Sequence, residues 1–191
     1  GPDPFAPEFV EYAAWLQVQA PELSLEALAS VVTRYDLFLF AHGYQPARPS
    51  LADLVLSLFL HAGFLHLAGN LLFLWIYGDN VEHRLGRLRY LVAYLGSGVA
   101  ATLAYSAAAG DSMTPLVGAS GAISGLLGFY FVFFPKNHIR LVVLLPPLLW
   151  QPFLVSARLV LGAYIVLDNV VPIVFQQGGG VAYGAHLGGF V

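Results

Sequence analysis

The sequence predicts an all-α protein, a polytopic bundle of membrane-spanning helices, and three observations support this fold class. The 191 residues are 58% hydrophobic and only 10% charged, whereas an ordinary soluble domain is about 25% charged. Uncharged segments near the ~20 residues that a helix needs to cross a bilayer recur along the chain. Basic residues cluster in alternate connections between these segments. A very hydrophobic soluble domain is the alternative, and the net charge of −3 gives no indication of a nucleic-acid partner.

The N-terminal region differs in composition from the rest of the chain. In residues 1–50, acidic side chains interrupt short apolar groups, and the stretch PELSLEALASVV places its leucines at helical spacing. No part of this region is long and apolar enough to cross a bilayer. We therefore expect an extracytoplasmic region of short amphipathic helices at the membrane surface, followed by a transmembrane core over residues 51–191.

Five apolar segments make up that core. The predicted spans are Leu54–Gly78, Leu91–Gly110, Ser112–Pro135, Leu159–Phe175 and a segment from Val181 to Val191. The first three contain no Asp, Glu, Lys or Arg. The last would form ~15 Å of helix at 1.5 Å per residue, about half of a membrane. We interpret it as the truncated start of a further span.

The connections between spans predict the orientation of the chain. The loops EHRLGRLR and PKNHIR carry basic residues, whereas AAAGDSMTP and QQGGG carry none. The positive-inside rule places the two basic loops in the cytoplasm. The N-terminal region and the QQGGG loop then face outward, and the alternation is consistent across all five segments.

Polar side chains lie at a similar shallow depth on the outer side of three spans, which predicts one shared site. His66 and Asn70 are four residues apart and share a helix face. Polar groups in hydrocarbon are costly and are either functional or used to hold helices together. The chain has no cysteine, and we expect neither a metal nor a cofactor. The residues concerned are His61, His66 and Asn70 in the first span, Ser120 and Ser124 in the third, and His186 in the last.

Each of these residues also has a structural interpretation. Asn70 alone suits a helix–helix hydrogen bond, His61 a helix start, and His186 a buried, satisfied imidazole. Asp168, next to Asn169, is interpreted as an internal polar contact deeper in its helix. The short motif around Ser120 also suits helix packing, because both its segment and the last one contain GxxxG.

Packing of this kind does not exclude chemistry. Gly121 with Gly125, and Gly184 with Gly188, would let the two helices approach closely. That approach would bring Ser120 within hydrogen-bond reach, about 3 Å, of a histidine on the other helix. We interpret Ser124, one turn deeper on the same face, as a packing residue.

Four motifs in order resemble those of the rhomboid intramembrane serine proteases. HAGFLHLAGN resembles the family's His-x4-His-x3-Asn, GDNVEHRLG its Glu-x-Arg segment, GASGAISG its Gly-x-Ser-Gly motif and VAYGAHLGGF its Ala-His-x-x-Gly motif. The resemblance covers roughly residues 44–191. It implies a six-helix core, of which this chain has spans two to five and the start of six.

The resemblance implies a role for each matching residue. Ser120 would be the nucleophile and His186 the general base, forming a dyad. Asn70 and His66, with the backbone N–H of Ser120, would form the oxyanion hole. The structural residues would be Gly118 and Gly121 around the serine, Gly189 at the helix crossing, and Glu82 and Arg84 in the cytoplasmic loop.

The implied function is that of an intramembrane serine endopeptidase acting through an acyl-enzyme. Its partners would be the lipid bilayer and transmembrane protein substrates. The enzyme would cleave these substrates near the outer face of the membrane. We expect an integral protein of the bacterial inner membrane whose site opens to the extracytoplasmic side. The QQGGG loop would cap the site and Leu159–Phe175 would act as a side gate. A catalytically inactive rhomboid-like client-binding protein and a small transporter are the alternatives.

Overall fold

The computed structural model describes residues 1–142, 152–171 and 183–191, and most of them are helical. The short N-terminal helices are α1 (Pro7–Gln19), α2 (Leu25–Val31) and α3 (Arg34–His42). The core helices are α4 (Asp53–Leu56), α5 (Phe64–Phe73), α6 (Asp79–Leu85), α7 (Arg87–Ala109), α8 (Ser120–Phe133), α9 (Ala157–Ile165) and α10 (Tyr183–Phe190). Strands β1 (His138–Val142) and β2 (Pro152–Ser156) lie between α8 and α9.

The N-terminal helices are defined by their caps and by a small core of their own. The Ser24 side chain accepts a hydrogen bond from the backbone of Ala27 at the start of α2. Thr33 and Asp36 form a reciprocal capping box at the start of α3. Five residues are buried together between these helices: Phe9, Ala13, Leu28, Val32 and Leu37. The position of this unit on a membrane surface remains a prediction.

Two polar contacts connect the N-terminal unit to the chain that follows. Arg48 forms an ion pair with Glu11 of α1. The Tyr35 hydroxyl donates to the carbonyl of His61 across 2.7 Å. The second contact places α3 beside the connection that leads into α5.

The first predicted span, Leu54–Gly78, is wrong as a single straight helix. The chain leaves the helical conformation at Leu60 and re-enters it at Phe64, and the two helical parts meet at 92°. The short 3-10 turn Ser57–Phe59 is held by burial, because Leu58 fills the space above Gly98 of α7. From Phe64 the helical path runs through a π-helical turn, Leu74–Gly78, to Leu85.

Helix lengths differ from the predicted spans. Within the described residues, α7 is the one helix whose length and apolar composition are enough to cross a bilayer, and the bent Asp53–Leu85 pair is a second candidate. The segment predicted as Ser112–Pro135 is helical only from Ser120. The preceding residues run as an irregular loop, tied to residue 44 by the bridge between Tyr44 and Leu116.

The chain is mostly helical, as the fold class predicts, and the segment after α8 adds one strand pair that the sequence analysis does not predict. Strands β1 and β2 pair antiparallel, with His138 opposite Ser156 and Val142 opposite Pro152. A proline cannot donate to a sheet and suits a strand end, and Pro152 is the first residue of β2. Helix α9 follows at once and continues as a π-helical turn, Val166–Val170. The end of the predicted span Leu159–Phe175 lies outside the described residues.

Helix α8 is the centre of the bundle. Its residues from Gly121 to Leu127 are all buried, which matches a helix that is apolar all round rather than on one face. Helices α7 and α10 pack against it on one side, and the turn preceding α6 on another. The core around its lower half consists of Tyr77, Val81, Ile123, Leu126, Leu127, Tyr130, Ala157 and Leu161, with Ala119 at the upper end.

Candidate active site

Ser120 and His186 are hydrogen-bonded to each other. The Nε2 atom of His186 lies 2.8 Å from Oγ of Ser120, although the two residues are 66 positions apart. Ser120 is the first residue of α8. Its N–H therefore has no partner within the helix, and the helix dipole places partial positive charge beside its side chain.

Close contact between α8 and α10 creates this pair. A Cβ on Gly189 would overlap the carbonyl oxygen of Gly121, and a Cβ on Gly125 would lie 2.9 Å from the carbonyl oxygen of Gly189. The two backbones thus touch one turn below His186. Helix α10 could not hold its histidine at this distance from Ser120 with a larger residue at the crossing.

The GxxxG pattern of α10 faces a different helix from the one expected. A Cβ on Gly188 would overlap Cβ of Ala104 in α7, and one on Gly184 would lie 3.7 Å from Cβ of Ala108. These two glycines therefore pack toward α7. The contact with α8 depends on Gly189, the residue that the family resemblance had singled out.

His186 has a second partner that the sequence did not identify. Its Nδ1 atom lies 2.9 Å from Oδ1 of Asn169, which is fully buried in the π-helical turn after α9. The available signal is an amide in an apolar segment, but the sequence analysis interprets only its neighbour Asp168, as an internal polar contact. The side chain of its neighbour Asp168 lies outside the described part of the structure.

Asn70 and His66 occupy successive turns of α5 and present donors on one side. The Asn70 amide donates to the carbonyl of His66 across 2.9 Å, which leaves its second N–H available. The backbone N–H of Ala62 donates to Nδ1 of His66 across 3.4 Å. A neutral imidazole that accepts at Nδ1 carries its proton on Nε2, so His66 also offers an N–H.

Gly118 allows the backbone of the loop before Ser120 to approach the imidazole ring of His66 closely. Its φ of +120° is one that residues with a side chain rarely adopt. A Cβ there would lie 2.7 Å from Cε1 and 2.9 Å from Nε2 of His66. The N–H of Gly118 donates to the carbonyl of Ser57 across 2.9 Å, which fixes the loop in this position.

One cavity is lined by four of the predicted polar residues, namely His66, Asn70, Ser120 and His186. The sequence predicts a shared site for these side chains. The volume of the cavity is about 630 Å³, and its walls come from α5 and the residues just before it, α7, the loop before α8, α8 itself, α9 and α10. Most of the other lining residues are apolar or aromatic. The lining residues are Ala62, Leu65, His66, Gly69, Asn70, Phe73, Tyr105, Thr114, Pro115, Leu116, Val117, Ser120, Ile123, Tyr164 and His186.

Two further predicted polar residues lie outside this lining. The ring of His61 stands edge-on to that of His66, with 5.3 Å between the ring centres. Ser124 is fully buried inside the bundle, and its Oγ has no hydrogen-bond partner among the described residues. Its position agrees with a packing residue.

Among the described residues, Glu82 and Arg84 form no ion pair with each other. Glu82 Oε1 lies 3.8 Å from Nε of Arg87, and both side chains are substantially exposed. Arg84 is exposed at the end of α6. Exposed ion pairs of this kind stabilise a fold by about 0–1 kcal/mol, so a structural role for Glu82 and Arg84 remains a prediction.

Fold and site together define a helical bundle in which a hydrogen-bonded serine–histidine pair faces a cavity with nearby N–H donors. Comparison with protein families agrees with this class. The family described as "Rhomboid domain" matches residues 48–191. The chain belongs to the rhomboid family, and it is therefore an integral membrane protein.

Individual relatives come from bacteria and mitochondria. Over 131 residues the chain is 34% identical to YdcA of Bacillus subtilis (strain 168), covering 65% of this chain and 59% of the relative. It is 34% identical over 138 residues to Rhomboid protein 1, mitochondrial, of Saccharomyces cerevisiae, covering 70% and 37%. It is 43% identical over 75 residues to Rhomboid protease GluP of Bacillus subtilis, covering 39% and 14%. The chain thus spans less than two thirds of the length of these relatives.

Proposed function

We propose that this chain carries the active site of an intramembrane serine endopeptidase. The observation that supports this most strongly is the 2.8 Å hydrogen bond between Ser120 and His186 at the edge of a cavity. A nucleophile and a base within hydrogen-bond reach are the elements that acyl transfer requires. One relative is named a rhomboid protease, which agrees with this chemistry.

The proposed reaction proceeds in two halves. His186 accepts the Ser120 proton as Oγ attacks the scissile carbonyl, and then donates that proton to the leaving amine. The peptide C–N bond breaks and an acyl-serine ester remains. A water molecule, deprotonated by His186, attacks the ester and releases the carboxylate product, and the serine regains its proton.

Three donors are proposed to stabilise the oxyanion. They are the second amide N–H of Asn70, Nε2–H of His66 and the backbone N–H of Ser120. The helix dipole of α8 acts in the same direction. Loss of one such donor commonly lowers the rate by about 10²–10³-fold.

The proposed substrate is a transmembrane helix of another membrane protein, cleaved near the outer face of a bacterial inner membrane. A helix hides its backbone, so it must unwind locally before Ser120 can attack. We propose entry between α5 and α9, where Phe73 and Tyr164 line the cavity with their ring centres 6.0 Å apart. The capping role proposed for the QQGGG loop concerns residues outside the described part of the structure.

The test is cleavage of a model transmembrane substrate by the full chain in detergent micelles. Wild type, Ser120→Ala, His186→Ala and Ser124→Ala are compared. We expect cleavage by wild type and Ser124→Ala, and loss of at least 10³-fold in the other two variants. Ser124→Ala is the matched control, because it removes a hydroxyl one turn away that has no hydrogen-bond partner among the described residues.

Two results would contradict the proposal. Equal cleavage by wild type and Ser120→Ala would place the chemistry elsewhere. Binding of the substrate without cleavage by wild type would favour the client-binding alternative.

A further inference from the structure

A chain of hydrogen bonds extends from Ser120 through His186 to the interior of the neighbouring span. His186 Nε2 lies 2.8 Å from Ser120 Oγ, and His186 Nδ1 lies 2.9 Å from Asn169 Oδ1. Asn169 Nδ2 donates in turn to the carbonyl of Tyr164 across 3.2 Å. Asn169 has no exposed surface, so water does not compete for its amide.

The Tyr164 carbonyl, the last group in this series of hydrogen bonds, determines the donor and acceptor of every bond before it. A backbone carbonyl can only accept, so the NH₂ end of the Asn169 amide must face Tyr164 and its oxygen must face His186. That oxygen also can only accept, so Nδ1 of His186 must carry a proton. In the neutral imidazole Nε2 then has a free lone pair, directed at the Ser120 hydroxyl.

The local backbone explains why Asn169 points in this direction. The amide of Asn70 donates to the carbonyl four residues earlier, as the α-helical geometry of α5 dictates. The Asn169 amide donates to a carbonyl five residues earlier, because Val166–Val170 is a π-helical turn. Such turns are rare and frequently occur at functional sites.

We propose that Asn169 is a positioning residue that converts the predicted serine–histidine dyad into a Ser–His–Asn triad. It selects the Nδ1–H tautomer of His186 and holds the imidazole plane toward Ser120. It also accepts from the imidazolium that forms when His186 takes the serine proton. Nothing is transferred to Asn169 itself. This inference rests on the proposed function, since the tautomer matters only if His186 acts as a base.

The kinetic test compares Asn169→Leu and Asn169→Asp with wild type on the same transmembrane substrate. We expect Asn169→Leu to lower kcat by about 10²-fold with KM within twofold. This is less than the ~10⁴-fold loss known for a charged third member, because the amide is neutral. Asn169→Asp keeps an acceptor oxygen and should retain at least about tenfold more activity than the Leu variant.

Thr102→Val is the matched control for the loss of a buried polar group in the same bundle. Thr102 has no exposed surface, and its hydroxyl donates to the carbonyl of Gly98 across 2.9 Å. It does not line the cavity. Its variant should keep kcat within about twofold of wild type, whatever the cost in stability.

A spectroscopic test separates failure of this inference from failure of the proposed function. In protein labelled with ¹⁵N in its histidine rings, we expect neutral His186 to carry its proton on Nδ1, and Asn169→Leu to lose that preference. The His186 signal is assigned from its absence in His186→Ala. This readout does not require cleavage.

If wild type cleaves the substrate and Asn169→Leu has the same kcat, the inference is overturned and the proposed function stands. Neutral His186 protonated on Nε2 in wild type would overturn it as well, including when the Leu variant fails to fold. Wild type that neither cleaves nor binds covalent serine reagents would instead remove the proposed function.

Discussion

Individual residues in this site depend on one another for their hydrogen-bonding roles. The Ala62 N–H fixes which nitrogen of His66 can donate, and the Tyr164 carbonyl, through Asn169, fixes which nitrogen of His186 can accept. Opposite tautomers are thus assigned to two histidines that line the same cavity. The tautomers of both imidazoles are therefore set by backbone groups, and these groups carry no sequence signature.

The role of Asn70 gives a prediction at the residue scale. We expect Asn70→Ala to lower kcat by about 10²–10³-fold, because one oxyanion donor is lost. Asn80→Ala is the matched control, since Asn80 makes the same bond to a carbonyl four residues back but lies in α6, outside the cavity lining. Initial rates over a range of substrate concentrations measure the effect. Similar losses in both variants would indicate a helix-stabilising role instead.

The helices are positioned by contacts between small residues. Helix α10 touches α8 through Gly189 and α7 through Gly188, so two neighbouring positions serve two different helices. In a membrane there is no hydrophobic force between helices, and close backbone approach provides much of their attraction. The Ser120–His186 distance therefore depends on residues without functional groups.

Gly189 and Gly184 provide a matched pair at the scale of the element. A Cβ at position 189 meets the backbone of Gly121, whereas one at position 184 meets only Ala108 at an ordinary van der Waals distance of 3.7 Å. We expect Gly189→Ala to destabilise the fold by about 1–3 kcal/mol and to lower cleavage severely. Gly184→Ala should change neither by much. Thermal unfolding in detergent and cleavage rates check both expectations.

An unchanged unfolding temperature in Gly189→Ala, together with full activity, would show that α10 can shift without losing the site. The α8–α10 crossing would then have no role in holding Ser120 beside His186.

For the whole molecule, the predicted orientation decides where the cavity opens. The loop before Ser120 forms one wall of the cavity and belongs to the connection between α7 and α8, which has no Lys or Arg. The basic loops lie at the other ends of α7 and α8. If the positive-inside rule holds for this chain, the site opens to the extracytoplasmic side.

The absence of cysteine makes this orientation directly measurable. Asp111→Cys and Lys136→Cys each introduce one thiol at an exposed position, in loops on opposite sides. We expect a membrane-impermeant maleimide to label Asp111→Cys in intact spheroplasts, and Lys136→Cys only after the membrane is permeabilised. The reverse pattern would invert the topology and move the site to the cytoplasmic side.

The sequence by itself determined the class of protein and the residues that meet. Low charge and recurring apolar segments indicated a membrane protein, and the four motifs indicated the rhomboid family, which the family comparison confirms. Polar groups are so costly in hydrocarbon that their few positions are informative. For this reason Ser120, His186, His66 and Asn70 could be assigned to one site before any distance was known.

The tertiary structure alone decided which way the helices face and how their regular paths are interrupted. The break before Phe64, the β1–β2 hairpin and the choice of Gly189 over Gly188 all depend on contacts between distant segments. Asn169 is the clearest case, because a π-helical turn changes its direction and sequence spacing assumes a uniform α-helix. The orientation of an amide within a helix is set by its tertiary surroundings, so the partner of His186 could be found only in the folded chain.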